Sequence, residues 1–275
     1  MSDSLSFEDT WQDVVAKAMR GLAMPPTQLA ERAQITQHDA DRLQSGEFSP
    51  ALIAAVAGPL GLNGEALLAL AVGEPGPPAP PMPACFFRSN TPYHDMTVNA
   101  YLAWDAETRE GIIFDSGADA SDLLAQVREL GLSIRHVLLT HTHGDHIFDL
   151  DRIVEKTGAI AHTPAAEPLA GALPVEPGAV FSCGALRIEA RRTSGHAVGG
   201  TSYVVNGLEV PLAVVGDALF ARSMGGPQIS HADCLSTNRA AIFTLPDATV
   251  LAPGHGPLTT VGTEKRWNPF FPHGV

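Results

Sequence analysis

Three histidines and one aspartate lie close together in residues 141–146 of this chain. Imidazole is the commonest metal-binding side chain, and the spacing of His141 and His143 allows both to point at one cation. Asp145 and His146 could serve a second cation from the far side of the same loop. A histidine-rich surface turn is the simpler alternative, but so compact a spacing favours a metal site.

The sequence around these histidines predicts how they are positioned. Residues 134–139 are mostly apolar and typical of a strand, which predicts a buried strand, and residues 149–156 predict a helix. The loop between a strand and the following helix is where α/β proteins usually place their chemistry. We therefore expect the histidines on a ligand loop at the end of a strand.

Three further candidate ligands occur later in the chain, and they are His196, Asp217 and His255. Each follows a strand-like run, at residues 185–190, 212–215 and 248–252 respectively. Each also lies beside a glycine, which lets the backbone turn sharply. Taken singly, they could be a capping aspartate or turn histidines. Together with the first group they make five histidines and two aspartates, enough for two sites that share one carboxylate.

The order His-x-His-x-Asp-His, Gly-His, Gly-Asp and Pro-Gly-His-Gly resembles that of the metallo-β-lactamase superfamily of hydrolases. Within that superfamily the chain is most similar to glyoxalase II and its smaller bacterial relatives. The resemblance covers residues 84–275, and it includes the segments 99–102, 114–117, 216–220 and 264–270. It implies an α/β fold, the αβ/βα sandwich, in which two mixed sheets lie face to face with helices outside and metals at one edge.

The resemblance also implies two divalent metal ions, zinc first of all, with iron or manganese as alternatives. The implied ligands are His141, His143 and His196 for the first ion, Asp145, His146 and His255 for the second, and Asp217 as the bridge. Asp145 is in addition a catalytic candidate, because it can orient the attacking hydroxide. Asp115, at the end of another strand, is expected to hold the ligand loop in place.

The implied activity is hydrolysis of a small acyl thioester by a hydroxide that two metals share. A persulfide dioxygenase with a single iron, held by two histidines and an aspartate, is the nearest alternative on this scaffold, and a lactonase is another. Residues 253–256 favour the hydrolases, since Pro-Gly-His-Gly keeps a ligand for the second metal. Glutathione is not implied as a substrate group, because residues 221–227 lack the lysine and tyrosine that glyoxalase II uses there.

The chain departs from the family after the ligand loop, where Ile-Phe-Asp at residues 147–149 replaces the usual glycine pair. Phe148 is therefore expected at the mouth of the metal site. Tyr93, His94 and Met224 are further candidates for the pocket wall. Three basic side chains are interpreted as surface charges that could also meet a carboxylate, namely Arg222, Lys265 and Arg266. The histidines without a place in the motif are interpreted as structural or surface residues, and they are His38, His136, His162, His231 and His273.

Composition is that of a cytoplasmic enzyme. The 275 residues suffice for two domains, and no apolar run or basic leader predicts a membrane span or a secretion signal. The three cysteines are widely spaced, which suits a reducing compartment. With 17 Lys+Arg against 30 Asp+Glu the formal net charge is −13, so nucleic acid is not an expected partner.

A proline-rich linker at residues 74–83 is expected to divide the chain into a helical domain, residues 1–73, and a catalytic domain, residues 84–275. Thr36 and Asp39 form a plausible capping pair in the helical domain. The helices predicted there cover residues 11–21, 27–33, 37–46, 50–60 and 64–70. Because the implied metal ligands all follow the linker, removal of residues 1–82 is expected to leave some hydrolysis.

Part of the N-terminal domain, residues 26–36 with 41–46, resembles the lambda-repressor-like helix-turn-helix. Residues 1–73 carry nine acidic and four basic side chains, whereas a recognition helix needs lysines and arginines to neutralise phosphates. We therefore interpret this domain as a packing module or a homodimerisation module. A regulator that binds DNA and senses a ligand is the alternative from outside the enzyme class.

Overall fold

The computed structural model of the protein describes residues 5–272, so His273 lies outside the described residues. The helices are α1 Trp11–Gly21, α2 Pro26–Ala33, α3 Gln37–Gln44, α4 Pro50–Ala57, α5 Gly64–Ala71, α6 Ser121–Leu130, α7 Gly144–Ile147, α8 Leu150–Thr157, α9 His231–Ala241 and α10 Val261–Trp267. The strands are β1 Phe86–Tyr93, β2 Met96–Trp104, β3 Glu110–Phe114, β4 Ser133–Leu138, β5 Ile160–Pro164, β6 Leu173–Val175, β7 Val180–Cys183, β8 Leu186–Arg192, β9 Thr201–Asn206, β10 Leu212–Gly216, β11 Val250–Pro253 and β12 Thr259–Thr260.

The strands form two mixed sheets of six strands each, in the orders β1-β2-β3-β4-β5-β6 and β12-β11-β10-β9-β8-β7. In the first sheet β3, β4, β5 and β6 run parallel, and β1 and β2 are antiparallel additions. In the second sheet only β10 and β11 are a parallel neighbouring pair. This is the α/β sandwich that the sequence predicted, with an additional N-terminal helical region.

Alternating side chains of the strands fill the space between the sheets. Ile112 and Phe114 of β3 belong to one apolar cluster with Tyr203 and Val205 of β9 and Leu212 of β10. A strand that is covered on both faces is apolar at successive positions, because alternate side chains enter the cores on opposite faces of the sheet. On the opposite face of the first sheet, a second cluster joins its strands to α6 and α8.

The outer face of the second sheet is packed against the N-terminal helices. Val204 and Ala213, which alternate with the inward-facing residues of β9 and β10, lie in one apolar cluster with Val14 of α1 and Val56 of α4. Phe271, near the C-terminus, belongs to the same cluster. Residues before and after the linker therefore share one hydrophobic core.

The N-terminal helices begin close to the predicted positions. Thr36 caps α3 through the predicted pairing with Asp39, whose carboxylate in turn accepts from the Thr36 backbone. Helices α2 and α3 are joined by residues 34–36, as a helix-turn-helix requires, and the likeness to that motif stays a prediction. Residues 74–83 contain no helix or strand. None of the helices within residues 5–272 is long and apolar enough to cross a membrane.

His136 of β4 and His162 of β5 form an imidazole pair away from the metal-ligand motif, with Nδ1 of the first 3.0 Å from Nε2 of the second. Burial, reinforced by His136, lowers the pKa of His162 from 6.5 to about 4. The folded state therefore favours the neutral His162 ring. The contribution of this ring to the free energy of unfolding is fully present above pH 6.5 and is lost as the pH falls toward 4.

We expect His162→Gln to reduce the loss of thermal stability between pH 7 and pH 5, by about 1 kcal/mol after a discount for solvent screening. Calorimetry of the wild type, of this variant and of His38→Gln, which changes an exposed histidine on α3, measures the difference. Parallel pH profiles for all three proteins would contradict the expectation.

Candidate metal centre

The sequence-predicted ligands come together at one edge of the sandwich. His141 follows β4 in the first sheet, and His196, Asp217 and His255 follow β8, β10 and β11 in the second. Strand β11 is parallel to its neighbour β10. Strand β8 runs in the same direction as β10, because β8 and β10 both pair antiparallel with β9. The carboxyl ends of these strands therefore converge, although the residues lie far apart in the chain.

Asp145 and His146 lie on a short helix rather than on the loop that the sequence suggested. Residues Gly144–Ile147 form α7, and His143 occupies its N-cap position. This turn places both side chains on the buried side of the backbone. The helical turn holds Asp145 and His146 in place more firmly than an open loop would.

The first cluster consists of His141, His143, His196 and Asp217. The Nε2 atoms of His141 and His196 each lie 3.0 Å from Nδ1 of His143. Oδ2 of Asp217 lies 3.3 Å from Nε2 of His196 and 3.9 Å from Nε2 of His141. Four ligand atoms therefore surround one small volume.

The second cluster consists of Asp145, His146 and His255. Oδ2 of Asp145 lies 3.4 Å from Nε2 of His146 and 3.3 Å from Nε2 of His255. Asp217 reaches this cluster as well, because its Oδ1 lies 3.3 Å from Nε2 of His146 and its Oδ2 lies 3.5 Å from Nε2 of His255. One carboxylate thus lies between the two groups.

These separations fit divalent metal ions. Ligands about 2.1 Å from a tetrahedral ion lie about 3.4 Å from one another, close to the distances within both clusters. Within residues 5–272, Nε2 of His146 and Oδ1 of Asp217 are buried and make no hydrogen bond, which is costly unless a cation satisfies them. Gly254 allows the close approach, since a Cβ there would lie 2.2 Å from Oδ1 of Asp217.

Backbone carbonyls fix the orientation of two of the imidazoles. Nδ1 of His196 donates to the Gly226 carbonyl at 2.8 Å, and Nδ1 of His255 donates to the Thr97 carbonyl at 2.7 Å. In the neutral form of each ring, the proton is then on Nδ1 and Nε2 is directed into its cluster, which is the form that binds a metal.

Asp115 connects the ligand-bearing segments from below. Its Oδ1 accepts from the Thr140 backbone N–H at 2.7 Å, and its Oδ2 accepts from the Thr140 hydroxyl and from Nδ1 of His146. Its backbone adopts a left-handed conformation, with φ 57°, at the end of β3. The predicted supporting role of Asp115 agrees with these contacts.

The clusters are strongly coupled electrostatically. Burial lowers the pKa of His255, but Asp217, Asp145 and the Thr97 carbonyl outweigh it and raise that pKa to about 11. Burial also lowers the pKa of His146, but Asp217 and Asp115 outweigh this effect and raise that pKa to about 10. Burial raises the pKa of Asp217, yet His255 and His146 hold it well below its usual range. The carboxylates thus favour positive charge in the site, whether protons or metal ions supply it.

Residues 95–255, more than half of the chain, match the family model of the Metallo-beta-lactamase superfamily. The chain belongs to this superfamily. Its matched segment begins within the β1–β2 turn and ends at His255, so it includes all seven predicted ligands and leaves the N-terminal helices outside.

Three relatives show the breadth of the superfamily near this chain. A probable metallo-hydrolase of Streptococcus pyogenes is 32% identical over 58% of this chain and 80% of its own length. The hydroxyacylglutathione hydrolase GloC of Haemophilus influenzae is 27% identical over 62% of this chain and 92% of its own. Human mitochondrial persulfide dioxygenase ETHE1 is 30% identical over 62% of this chain and 69% of its own.

Among solved structures, one of a protein in a di-iron-bound form is 25% identical, with a TM-score of 0.55. The similarity covers 67% of this chain and 99% of that protein. The chain is thus a member of a superfamily of metallo-hydrolases whose sites hold divalent metals. The two His/Asp clusters of this chain fit such a site.

The hydrogen bonds that Asp115 makes to Thr140 and His146 should increase the affinity of the site for metal. Asp115→Asn replaces an acceptor with an amide that cannot accept from both Thr140 and His146, so the His146 ring loses its fixed orientation. We expect metal affinity to fall about 10–100-fold with the fold retained. Competition with a fluorescent zinc chelator measures this, and Asp119→Asn, at an exposed carboxylate, is the control. Equal affinities would show that the hydrogen bonds of Asp115 serve the backbone alone.

The predicted pocket wall is only partly found. Phe148 is 67% exposed and its ring contacts Tyr93, whose ring in turn contacts His94. The Tyr93 hydroxyl would lie 2.9 Å from a Cβ at position 144, between two of the ligands, so these aromatic side chains do border the site. Met224 is fully buried in the apolar cluster that the second sheet shares with the N-terminal helices.

Arg222 is not the surface charge that the sequence suggested. Its side chain is 2% exposed, and its guanidinium lies between the rings of Phe7 and Trp267 and donates to the Glu74 carbonyl. Lys265 does form a surface ion pair, with Asp247. Arg222 thus connects the N-terminal segment, the linker and α10.

Residues 5–10, which precede α1, reach the edge of the candidate metal centre, and the sequence did not predict this position. Backbone atoms of Ser6 and Glu8 lie beside Gly256, with N of Glu8 3.2 Å from where a Cβ on that glycine would stand. Gly256 directly follows the candidate ligand His255. No motif marks this segment, because its position depends entirely on tertiary packing.

Proposed function

We propose that the protein is a dinuclear metal-dependent hydrolase of glyoxalase II type that cleaves a small acyl thioester. The observation that carries this proposal is the position of Asp217, within 3.5 Å of imidazole nitrogens from both clusters, as expected for a carboxylate that bridges two ions. The similarity to a hydroxyacylglutathione hydrolase supports the thioester class. Zinc is the proposed metal, with iron and manganese as alternatives.

The proposed ligand sets are those of the two clusters. Two divalent ions bound there would lower the pKa of a shared water and polarise the acyl carbonyl. The chain itself supplies fixed imidazoles, because His196 and His255 are each tied to a backbone carbonyl and His146 is tied to Asp115. Such preorganisation means that little rearrangement is needed during the reaction.

Asp145 has a second proposed role. Its carboxylate is mostly buried, and an acceptor in this position can orient the attacking water by hydrogen bonding. Burial raises the pKa of Asp145, but the hydrogen bond from His255 lowers it overall, so the carboxylate is ionised at neutral pH. A thiolate leaving group, with a thiol pKa of about 8.5, departs with little help from an acid.

Two other activities of this scaffold remain alternatives. The human relative is a persulfide dioxygenase, and the first cluster alone, with its histidines and Asp217, could hold a single iron. A lactonase would use the same water and the same residues. A DNA-binding regulator stays the alternative outside the enzymes. The excess of acidic over basic side chains in residues 1–73 argues against it.

The domain division and the partners are proposals too. We propose that residues 1–73, the linker 74–83 and residues 84–275 are the units of the chain, that the helical unit covers the second sheet, and that a homodimer would form through it. The proposed setting is the cytoplasm, and the proposed partner is a small acyl thioester, not nucleic acid or a membrane.

Metal stoichiometry separates the main alternatives. Protein purified without chelators or a histidine tag should contain about two divalent ions per chain, and His255→Ala should contain about one. A panel of thioesters and lactones then identifies the substrate class. A single iron in the wild type, with oxygen uptake on a persulfide, would replace the proposal by the dioxygenase. No bound metal would remove the ligand assignment itself.

A further inference from the structure

Lys17 of α1 reaches from the N-terminal helical region to the loop at residues 223–226, beside the candidate metal centre. Its ammonium donates to the Met224 carbonyl at 2.8 Å and forms an ion pair with Asp9. Asp9 in turn accepts a hydrogen bond from the Ser223 hydroxyl. The side chains of Lys17 and Asp9 are 13% and 8% exposed, so water competes little with these bonds. The first half of the loop is therefore held by α1 and the segment before it.

The second half of the same loop contacts two candidate ligands directly. The Gly226 carbonyl accepts from Nδ1 of His196 at 2.8 Å, and the Gly225 N–H donates to the Asp217 carbonyl at 3.0 Å. A Cβ on Gly225 would lie 2.9 Å from Nδ1 of His196, so the backbone passes close against the imidazole ring. A displacement of this loop would therefore change the orientation of His196.

Helix α1 also packs against Gly226 itself. A Cβ on this glycine would lie 3.9 Å from Cε of Lys17 and 3.8 Å from Nη1 of Arg20, three residues further along the helix. Only two positions separate the Met224 carbonyl, which Lys17 binds, from the Gly226 carbonyl, which His196 binds. The loop thus lies between α1 and the His196 ring, and each side of it is hydrogen-bonded.

The second cluster depends less on this loop. Nδ1 of His255 donates to the Thr97 carbonyl, which belongs to β2 and not to residues 223–226. Its link to Lys17 is a ring contact, since the ammonium lies 5.0 Å from the centre of the Phe220 ring and that ring contacts His255. A ring contact is less directional than a hydrogen bond to Nδ1. Loss of Lys17 should therefore act mainly on the first cluster.

We propose that Lys17 is a positioning residue for the first metal ion, because it fixes the loop whose Gly226 carbonyl orients His196. The proposal rests on the ligand sets of the proposed function and goes beyond them, since it makes the N-terminal helical region a support of the metal centre. Lys17 and Asp9 both precede residues 95–255, the segment that matches the family model. This support is therefore supplied from outside the matched segment.

Loss of Lys17 should weaken zinc binding at the first site by about tenfold. This is the lower end of the 10–100-fold loss for a direct hydrogen-bond partner of a ligand, because Lys17 acts one step further away. Removing one member of a buried ion pair leaves the other charge unpaired, so the test uses Lys17→Met together with Asp9→Asn. Lys17→Arg alone keeps a charged donor and should retain most of the affinity.

Two backgrounds isolate the two sites. His255→Ala removes a ligand of the second cluster, and His143→Ala removes a ligand of the first. Zinc titration in competition with a chelator of known affinity gives one binding constant in each background. We expect Lys17→Met with Asp9→Asn to lower the constant about tenfold in the His255→Ala background and less than about twofold in the other. Arg32→Met, at an exposed position of α2, is the control and should change neither constant.

A spectroscopic readout tests the link to His196 itself. In the His255→Ala background loaded with cobalt, the Nδ1 proton of His196 should give a paramagnetically shifted NMR signal. Its exchange with solvent should be faster in the double variant, because the Gly226 carbonyl is less well placed to accept it. A role of Lys17 in folding alone would lower the thermal stability without this change in exchange.

Equal first-site affinities with and without Lys17 would overturn the inference and leave the dinuclear hydrolase in place. Equal losses at both sites would also overturn it, because they would show a general effect on folding. A wild-type protein that binds no zinc would remove the proposed function and this inference with it. If the double variant did not fold, Ser223→Ala, which removes one hydrogen bond to Asp9, would decide through the same two constants. A loss confined to the first site would support the inference, and no loss would overturn it.

Discussion

Replacement of His143 by alanine should reduce hydrolysis by more than about 100-fold and leave the fold intact. Loss of a hydrogen-bond partner behind a metal ligand typically costs 10–100-fold, so loss of the ligand itself should cost more. His143 Nδ1 lies 3.0 Å from nitrogens of both His141 and His196, and its removal therefore opens the first cluster at its centre. The side chain is only half-buried, so little apolar packing is lost.

Turnover, bound metal and circular dichroism of the purified variant measure the three parts of this expectation. His94→Ala, which changes an exposed histidine of the aromatic group near the site, is a matched control that should keep its metal. Wild-type turnover in His143→Ala would contradict the metal mechanism. A variant that loses its secondary structure would instead show that the metal centre is needed for folding.

Removal of residues 1–82 should yield an unstable or aggregating remainder. All the predicted ligands follow the linker, and the sequence therefore suggested that some hydrolysis would survive. The structure changes this expectation, because Leu219, Ile242, Phe243 and Phe271 share an apolar cluster with α1, α4 and α5. Exposure of four such side chains would cost about 6–12 kcal/mol, comparable with the whole stability of a typical protein.

A cut in the linker distinguishes loss of the segment from loss of the covalent bond. A protease site inserted at residues 77–79, which are exposed, should allow cleavage into two pieces that co-elute and keep the activity of the intact chain. The same pieces separated in denaturant should not recover activity singly. A soluble, fully active remainder after deletion would show that the shared cluster contributes little to stability.

The sequence by itself predicted the fold class of this protein, and it supplied the candidate ligands that the structure brings together. Histidine and aspartate at short spacing, and single ligands beside glycines after strand-like runs, are local signals, because a ligand needs a fixed turn at the end of a strand. The N-terminal helices were also readable from local capping and apolar periodicity, as at Thr36 and Asp39.

Only the tertiary structure decided how these parts relate. It placed Asp145 and His146 on the short helix α7, put Asp217 between both clusters, and buried Arg222 and Met224, which the sequence had left at the surface or in the pocket wall. It also brought Glu8 beside Gly256, across 248 residues of chain (256 − 8). The reason is physical: ligand spacing follows from local backbone geometry, whereas burial and contacts between distant segments follow from how the two sheets and the N-terminal helices pack into one core.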